Sequence, residues 1–393
     1  MSTEPALGRL PGATSNLNNF SLAGLIYADK SDLLAELARR RGLFLLSRPR
    51  GFGKSMLLSS LTILFTQGRE PFRRYLLYEH WEDGEYYPVA HVDCSSPRPG
   101  GESAPGRFLF ARLQTALQCL DLREDDDDEG RDPLLPLRRG TDLLAARGRS
   151  CVLLLEECDV PLMQALAAGG RPYAAAVSLY RELFELMEER REVLRFALAT
   201  STLSLGALLG LGGGFEDLSL DPGFAQLLGF TPQEAGDYFE DYIRHFARTG
   251  HLTRAAAFAG LSENYGGYSF DGETRTELLH PASFLRCLRH PQRGFAPYWE
   301  ANRPVDALIT RKYAPAGGRD ALHQLEALTE ELSTPRRMQA LCGREVSALD
   351  ELDDAALLYQ AGYLAIREVR DGQFILGRAN RQSDQALVKV LVG

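Results

Sequence analysis

Four apolar runs punctuate the first half of the chain: Leu43-Phe-Leu-Leu46, Pro88-Val-Ala-His-Val-Asp93, Ser150-Cys-Val-Leu-Leu-Leu155 and Val193-Leu-Arg-Phe-Ala-Leu-Ala199. Runs of this length read as strands, and the unbroken ones suit strands covered on both faces of a parallel sheet. Between them the apolar residues recur at helical spacing. The pattern predicts helices over 31–41 (Ser31 or Asp32 as N-cap, Gly42 as stop), 54–65, 105–120 and 173–191, with a short helix and connector in 72–87. Strands alternating with helices predict an α/β fold, a parallel sheet flanked by helices. From Phe224 the pattern turns helical. Thr231-Pro-Gln-Glu234 is a capping box opening a helix to about Phe246. Further helices are predicted at 281–288, 304–313, 320–332 and 349–363. Two short strands, 364–367 and 373–376, pair around Asp371-Gly372. Helices followed by a hairpin suggest a winged-helix-like module.

The stretch joining the first strand to its helix is Ser47-Arg-Pro-Arg-Gly-Phe-Gly-Lys-Ser55. Strand, glycine-containing loop and helix are the frame of a phosphate-binding loop. The N–H groups of Gly51, Phe52, Gly53 and Lys54 would face a phosphate, aided by the helix N-terminus. Lys54 would reach the β/γ-phosphates and Ser55 would hold Mg²⁺. The general pattern G-x-x-x-x-G-K-[ST] wants glycine where Arg48 stands. The plain alternative is an ordinary strand–turn–helix with a solvated Lys54. Arg48 and Arg50 flank Pro49, and at least one is expected to contact a nucleotide or the acidic strand end.

That acidic end is Glu156-Glu157, closing the run from Cys151. Ligands of open α/β sheets bind at the carboxyl ends of strands. Glu156 would hold a Mg²⁺-bound water, and Glu157 would orient or deprotonate the attacking water. Asp159 falls on the same rim. Thr200 or Ser201, ending the fourth strand, would bond the γ-phosphate or the attacking water. The plain readings are a solvated strand end and an ordinary turn hydroxyl.

With 393 residues the chain suggests two or three domains. A net charge of −9 argues against broad nucleic-acid binding, although a local basic patch stays open. The six cysteines are scattered without C-x-x-C spacing, which points to a reducing cytosol. The polar N-terminus carries no leader-like apolar segment, and no apolar run reaches membrane-span length. The carboxylate run 124–129 lacks the spacing of a calcium loop and reads as a solvated loop. The glycine cluster 210–214 lacks a strand–helix frame and reads as a flexible loop rather than a dinucleotide fingerprint.

Together these motifs resemble the bacterial AAA-ATPase-like P-loop family, whose members often carry a PD-(D/E)XK nuclease-like domain at the C-terminus. The family's Y-x-D-K-T looks like Tyr27-Ala-Asp29-Lys30-Ser31, and its S-R-P-R-R-F-G-K-S like Ser47 to Ser55. Arg48 in place of glycine is therefore expected. Y-P-V-x-x-x-D matches Tyr87 to Asp93, and D-E-Y-D-x-P resembles Glu156-Glu157-Cys158-Asp159-Val160-Pro161. G-F-T-x-x-E matches Gly229 to Glu234, Y-x-G-Y-x-F resembles Tyr265 to Phe270, N-P-x-S resembles His280-Pro281-Ala282-Ser283, and L-L-Y-x-x-G-Y-L matches Leu357 to Leu364. The resemblance runs from about residue 20 to the end. It implies a P-loop NTPase domain over 25–222 after a lead-in 1–24, a helical lid over 223–315 and a winged-helix-like domain over 316–393. It implies ATP and Mg²⁺ as ligands. The nucleotide set is Arg48, Arg50, Gly51, Phe52, Gly53, Lys54, Ser55, Met56 and Pro281, the metal set Ser55 and Glu156, and the catalytic set Glu157, Glu156 and Thr200.

Three departures bear on activity. Glu156 replaces aspartate, and one extra methylene moves the carboxylate by ~1.5 Å, enough to matter to catalytic geometry. His280 replaces asparagine. Glycines 212–214 stand where the family has an Asn-rich turn. About fifteen residues follow the last predicted strand, too few for a nuclease fold, so either another chain supplies the effector, as a protein partner in trans, or this one has no nuclease role. Two functions compete: a nucleotide-dependent switch or slow ATPase, and a non-catalytic interaction module with a degenerate nucleotide site. A third, nucleic-acid binding by the winged helix, rests on Arg367, Arg370, Arg378 and Arg381 against the net negative charge. The expected location is cytoplasmic, with no membrane contact.

Overall fold

The computed structural model describes residues 9–11, 24–95, 104–118, 132–168, 170–211, 213–299, 301, 303–313, 336–337, 351 and 353–392. The carboxylate run 124–129 and the expected helix 320–332 lie outside the described residues. The chain order is α1 (Ser31–Arg39), β1 (Gly42–Ser47), α2 (Lys54–Gln67), α3 (Leu77–His80), β2 (Val89–Asp93), α4 (Ala104–Leu117), α5 (Leu135–Ala146), β3 (Cys151–Glu156), α6 (Asp159–Ala168), α7 (Gly170–Glu189), β4 (Leu194–Ser201), α8 (Leu205–Leu209) and β5 (Glu216–Asp217). There follow α9 (Pro232–Thr249), α10 (Arg254–Tyr265), α11 (Pro281–Arg289), α12 (Arg303–Tyr313), β6 (Arg336–Arg337), α13 (Asp354–Ala361), β7 (Leu364–Arg370), β8 (Gln373–Arg378) and α14 (Arg381–Val392).

β1 to β5 form one parallel sheet in the order β2-β3-β4-β1-β5. The apolar runs predict a parallel sheet, though not its strand order: every residue of β4 is buried, as are all of β3 but Glu156. β4 separates the loop strand β1 from the acidic strand β3, so the carboxyl ends of all three form one rim. β5 was not expected. It is a two-residue acidic edge with no apolar signal, paired to Phe44 and Leu45.

Two hydrophobic clusters divide the molecule. The larger runs from the sheet and its helices into α12, α13 and the β7–β8 hairpin. The smaller fills the lid between α9, α10 and α11, around Phe239, Ile243, Phe246, Leu261 and Phe284. The capping box holds: Thr231 Oγ1 accepts from the Glu234 N–H at 3.1 Å, and a Glu234 carboxylate oxygen accepts from the Thr231 N–H at 2.8 Å.

The C-terminal module is helical with a small antiparallel sheet, β6-β8-β7. Asp371 and Gly372, at φ 49° and 70°, make the tight turn that a two-residue hairpin requires. The unassigned residues after that hairpin form α14. The module also supports the phosphate loop from behind. Gly362 (φ +87°) ends α13 against Pro49, where an added Cβ would stand 2.9 Å from the proline Cβ. Just before it, the Gln360 side-chain carbonyl accepts from the Ser204 N–H at 2.8 Å, beyond the end of β4.

Candidate nucleotide-binding site

The phosphate loop forms because an apolar strand and an apolar helix must be joined through a sharp reversal. Gly51 and Gly53 adopt φ +85° and +109°, which favour glycine. Gly51 is also sterically required, since a Cβ there would meet His280 Cε1 at 2.6 Å. The loop faces a cleft of about 580 Å³ between the sheet and the lid, within the range of small-ligand sites. Arg50, Gly51, Phe52, Gly53, Lys54, Ser55 and Met56 line it, as do Glu157 and, from α11, Pro281. Its apolar lining includes Ile26, Leu227, Leu228, Phe230 and Leu285. Among the described lining residues the basic side chains are Lys30, Arg50, Lys54, Arg286 and Arg289, against one acid, Glu157. That balance suits an anion.

Lys54 is buried, and its Nζ donates to the carbonyls of Arg48 (2.7 Å) and Pro49 (3.4 Å). Burial lowers its affinity for a proton, while Glu157, Asp159 and Glu156 restore part of it. The three acids of the strand end therefore act electrostatically on the loop lysine.

Ser55 and Glu156, 101 positions apart, meet directly: the serine hydroxyl donates to Glu156 Oε1. On the other oxygen, His91 Nε2 lies 3.0 Å from Oε2. Burial alone would push the Glu156 carboxyl up, but the hydrogen bonds from His91 and Ser55 outweigh it and hold it below its ordinary value. A hydroxyl and an ionised carboxylate at one point are hard oxygen donors, the set Mg²⁺ takes beside phosphate oxygens. Glu157 sits at φ 51° where the chain turns from β3 into α6. This left-handed backbone costs a non-glycine residue roughly 1 kcal/mol or more, and it accompanies a side chain lining the cleft.

Asp159 is fully buried, with Oδ2 accepting from the N–H groups of Thr202 (2.9 Å) and Leu203 (2.8 Å). Its Oδ1 has no hydrogen bond among the described residues, and burial pushes its pKa up to about 6. It braces the end of β4 rather than facing the cleft rim.

Two expected residues lie elsewhere. Arg48 points away from the cleft, donating to the carbonyls of Ser47 (2.9 Å), Ser219 (2.7 Å) and Phe224 (3.4 Å). Its guanidinium lies 4.3 Å from the Phe270 ring centroid, and burial lowers its pKa to about 10. Strand alternation would put both arginines on one side, but the strand ends at Ser47; in the loop Arg48 is held by Ser219, Phe224 and Phe270, and Arg50 lines the cleft. Thr200 is also buried, its hydroxyl donating to the Leu155 carbonyl at 3.3 Å across the β3–β4 pair. A strand covered on both faces leaves that hydroxyl no route to the cleft.

Several participants escaped sequence reasoning. The sequence marks His91 only as a strand residue. Its signal is alternation: Ala90 and Val92 are buried, while His91 and Asp93 are half-buried on the other face. Lys30 Nζ pairs with Glu234 at 2.8 Å and donates to the Gln226 carbonyl at 2.7 Å, tying α1 to the lid. His280 caps α11 by accepting the Ser283 N–H on Nδ1 (3.2 Å), so Nε2 carries the proton and donates to the Arg50 carbonyl at 2.7 Å. Its ring packs on Phe52, 5.0 Å between centroids, and burial lowers its pKa to about 4. Of the arginines singled out in the C-terminal module, Arg370 pairs with Glu368, Arg378 with Asp384 and Arg381 with Glu263, which blunts the local positive charge.

A sequence profile of the AAA-ATPase_like family, described as predicted AAA-ATPase, matches residues 11–206. An uncharacterized protein in the vnfD 5′ region of Azotobacter chroococcum mcd 1 is 27% identical over 363 residues, covering 88% of this chain and 61% of the relative. The chain thus spans less than two thirds of that relative's length. Among solved structures, the Aeropyrum pernix ORC2 protein (ADPNP-ADP complexes) aligns with TM-score 0.37 and 14% identity, over 92% of this chain and 91% of that one. No helix among the described residues is long and apolar enough to cross a membrane.

Proposed function

We propose that this chain, whose residues 11–206 belong to the AAA-ATPase-like family, binds ATP with Mg²⁺ in the cleft between phosphate loop and lid and works as a nucleotide-dependent switch or slow ATPase. One observation carries the reading: Ser55 and Glu156, from loop and acidic strand, are in contact beside the basic cleft. Gly51 to Ser55 would bind the phosphates through backbone N–H groups and the α2 terminus. Lys54 and Arg50 would add charge, and the apolar lining would take the base. Ser55 and Glu156 would hold Mg²⁺, which when bound neutralises phosphate charge. Glu157 would orient or deprotonate the attacking water.

Isothermal titration with ATP, with and without Mg²⁺, beside a phosphate-release assay tests this. Binding with slow release supports it; no binding sinks it. Binding without release would favour the second reading, a non-catalytic module. The Thr200 hydroxyl favours that reading, since it is engaged with Leu155 rather than turned to the cleft.

The division into nucleotide domain (25–222), lid (223–315) and winged-helix-like module (316–393) belongs to the same proposal. The hairpin module is read as a contact for a protein partner or effector. Nucleic acid is the weaker choice, given the net charge of −9 and the paired arginines. The four described cysteines are buried free thiols, which suits the cytosol.

A further inference from the structure

We infer that His91 is the positioning residue that makes Glu156 a usable metal-shell carboxylate, and so sets how strongly a divalent cation assists nucleotide binding. The inference rests on the nucleotide reading above. Glutamate has one more rotatable bond than aspartate and loses more side-chain freedom when held in one geometry. Here both ends of the carboxylate are fixed: Oε1 by the Ser55 hydroxyl and Oε2 by His91 Nε2 at 3.0 Å.

Strand register explains why His91 can do this. β2 and β3 run parallel with Asp93 opposite Glu156 and His91 opposite Leu154. His91 therefore lies one pleat back on the face carrying Asp93, and reaches diagonally to the outer oxygen. The longer glutamate extends far enough to be gripped there; an aspartate, one methylene shorter, would not. An ionised carboxylate only accepts, so Nε2 donates. With Oε2 so engaged, Oε1 is turned to Ser55, the other group of the proposed metal set. Partners of this kind orient metal-binding carboxylates and set their affinity. The pair is itself a poor stability device: the His91 side chain is 33% exposed, and such pairs add little to folding.

The test is the metal increment: the affinity for a β,γ-imido ATP analogue with saturating Mn²⁺, divided by that in EDTA. His91→Ala is expected to lower this ratio about 10- to 100-fold, with affinity in EDTA and thermal midpoint unchanged. His91→Gln, whose amide N–H can donate from a similar position, should recover most of it. In a Glu156→Asp background, removing His91 should cause no further loss. A wild-type ratio in His91→Ala, a Gln variant no better than Ala, or an equal loss in the Asp background would each overturn the role of His91. Failure of the wild type to bind the analogue in both conditions would instead overturn the nucleotide reading, and this inference with it.

Discussion

His280 replaces an asparagine expected by resemblance, and the replacement should be visible as a pH-dependent stability. Buried, neutral and hydrogen-bonded at both nitrogens, it has a pKa of about 4 in the folded chain, against about 6.5 unfolded. The unfolded chain therefore takes up the proton first. Wild-type stability is fully present above the unfolded value and falls as pH drops toward 4. Integrating the difference, folding loses roughly 2 kcal/mol between pH 7.5 and pH 5 on account of this residue. His280→Asn can still cap α11 but has no such titration. It should be less stable than wild type at pH 7.5, where the bond to the Arg50 carbonyl and the contact with Phe52 are lost. The gap should shrink or reverse by about 2 kcal/mol at pH 5. Asp159, which titrates in the opposite sense, is common to both proteins and cancels in the comparison. Urea denaturation of both proteins at the two pH values measures the gap. A gap constant to within about 0.5 kcal/mol, near the level at which distant effects add, would show that His280 is not held neutral.

The two loop arginines should separate cleanly. Arg48→Ala removes a buried donor to three carbonyls and should cost roughly 3 kcal/mol in a denaturant titration, with nucleotide affinity of the folded protein little changed. Arg50→Ala should leave stability near wild type and weaken ATP binding about tenfold. Lys54→Ala should weaken binding about tenfold or more by calorimetry, since a charge-assisted contact is worth roughly 1.5–3 kcal/mol. Glu157→Gln should abolish phosphate release while retaining ATP binding, because an amide cannot accept the proton of the attacking water; unchanged release would remove Glu157 from the chemistry.

The sheet was readable because its strands are covered on both faces, so Leu43 to Leu46 and Val152 to Leu155 leave an unbroken apolar record. α6 was not, for the same reason. It is buried nearly all round, with Val160, Pro161, Leu162 and Met163 in succession, and shows no polar face to betray a helical period. α10 was missed because its alanines carry little pattern, although Thr253 caps it by accepting the Ala256 N–H at 3.1 Å. In the site, residue types were legible and directions were not. Nothing local distinguishes Arg48 from Arg50; Phe270 and the Ser219 carbonyl, far along the chain, do. The same holds for His91, whose partner is chosen by strand register.

The contact between Gly362 and Pro49 gives the phosphate loop two sides with different owners. Its front belongs to the cleft and the lid; its back rests on the end of α13, which continues directly into the β7–β8 hairpin. The segment leaving that hairpin is tied to the lid as well, for Asn380 donates to the Gly266 carbonyl at 2.8 Å and Arg381 pairs with Glu263. A load on the hairpin is therefore shared between the back of the loop and the lid, which itself holds the loop through His280 and the Arg50 carbonyl.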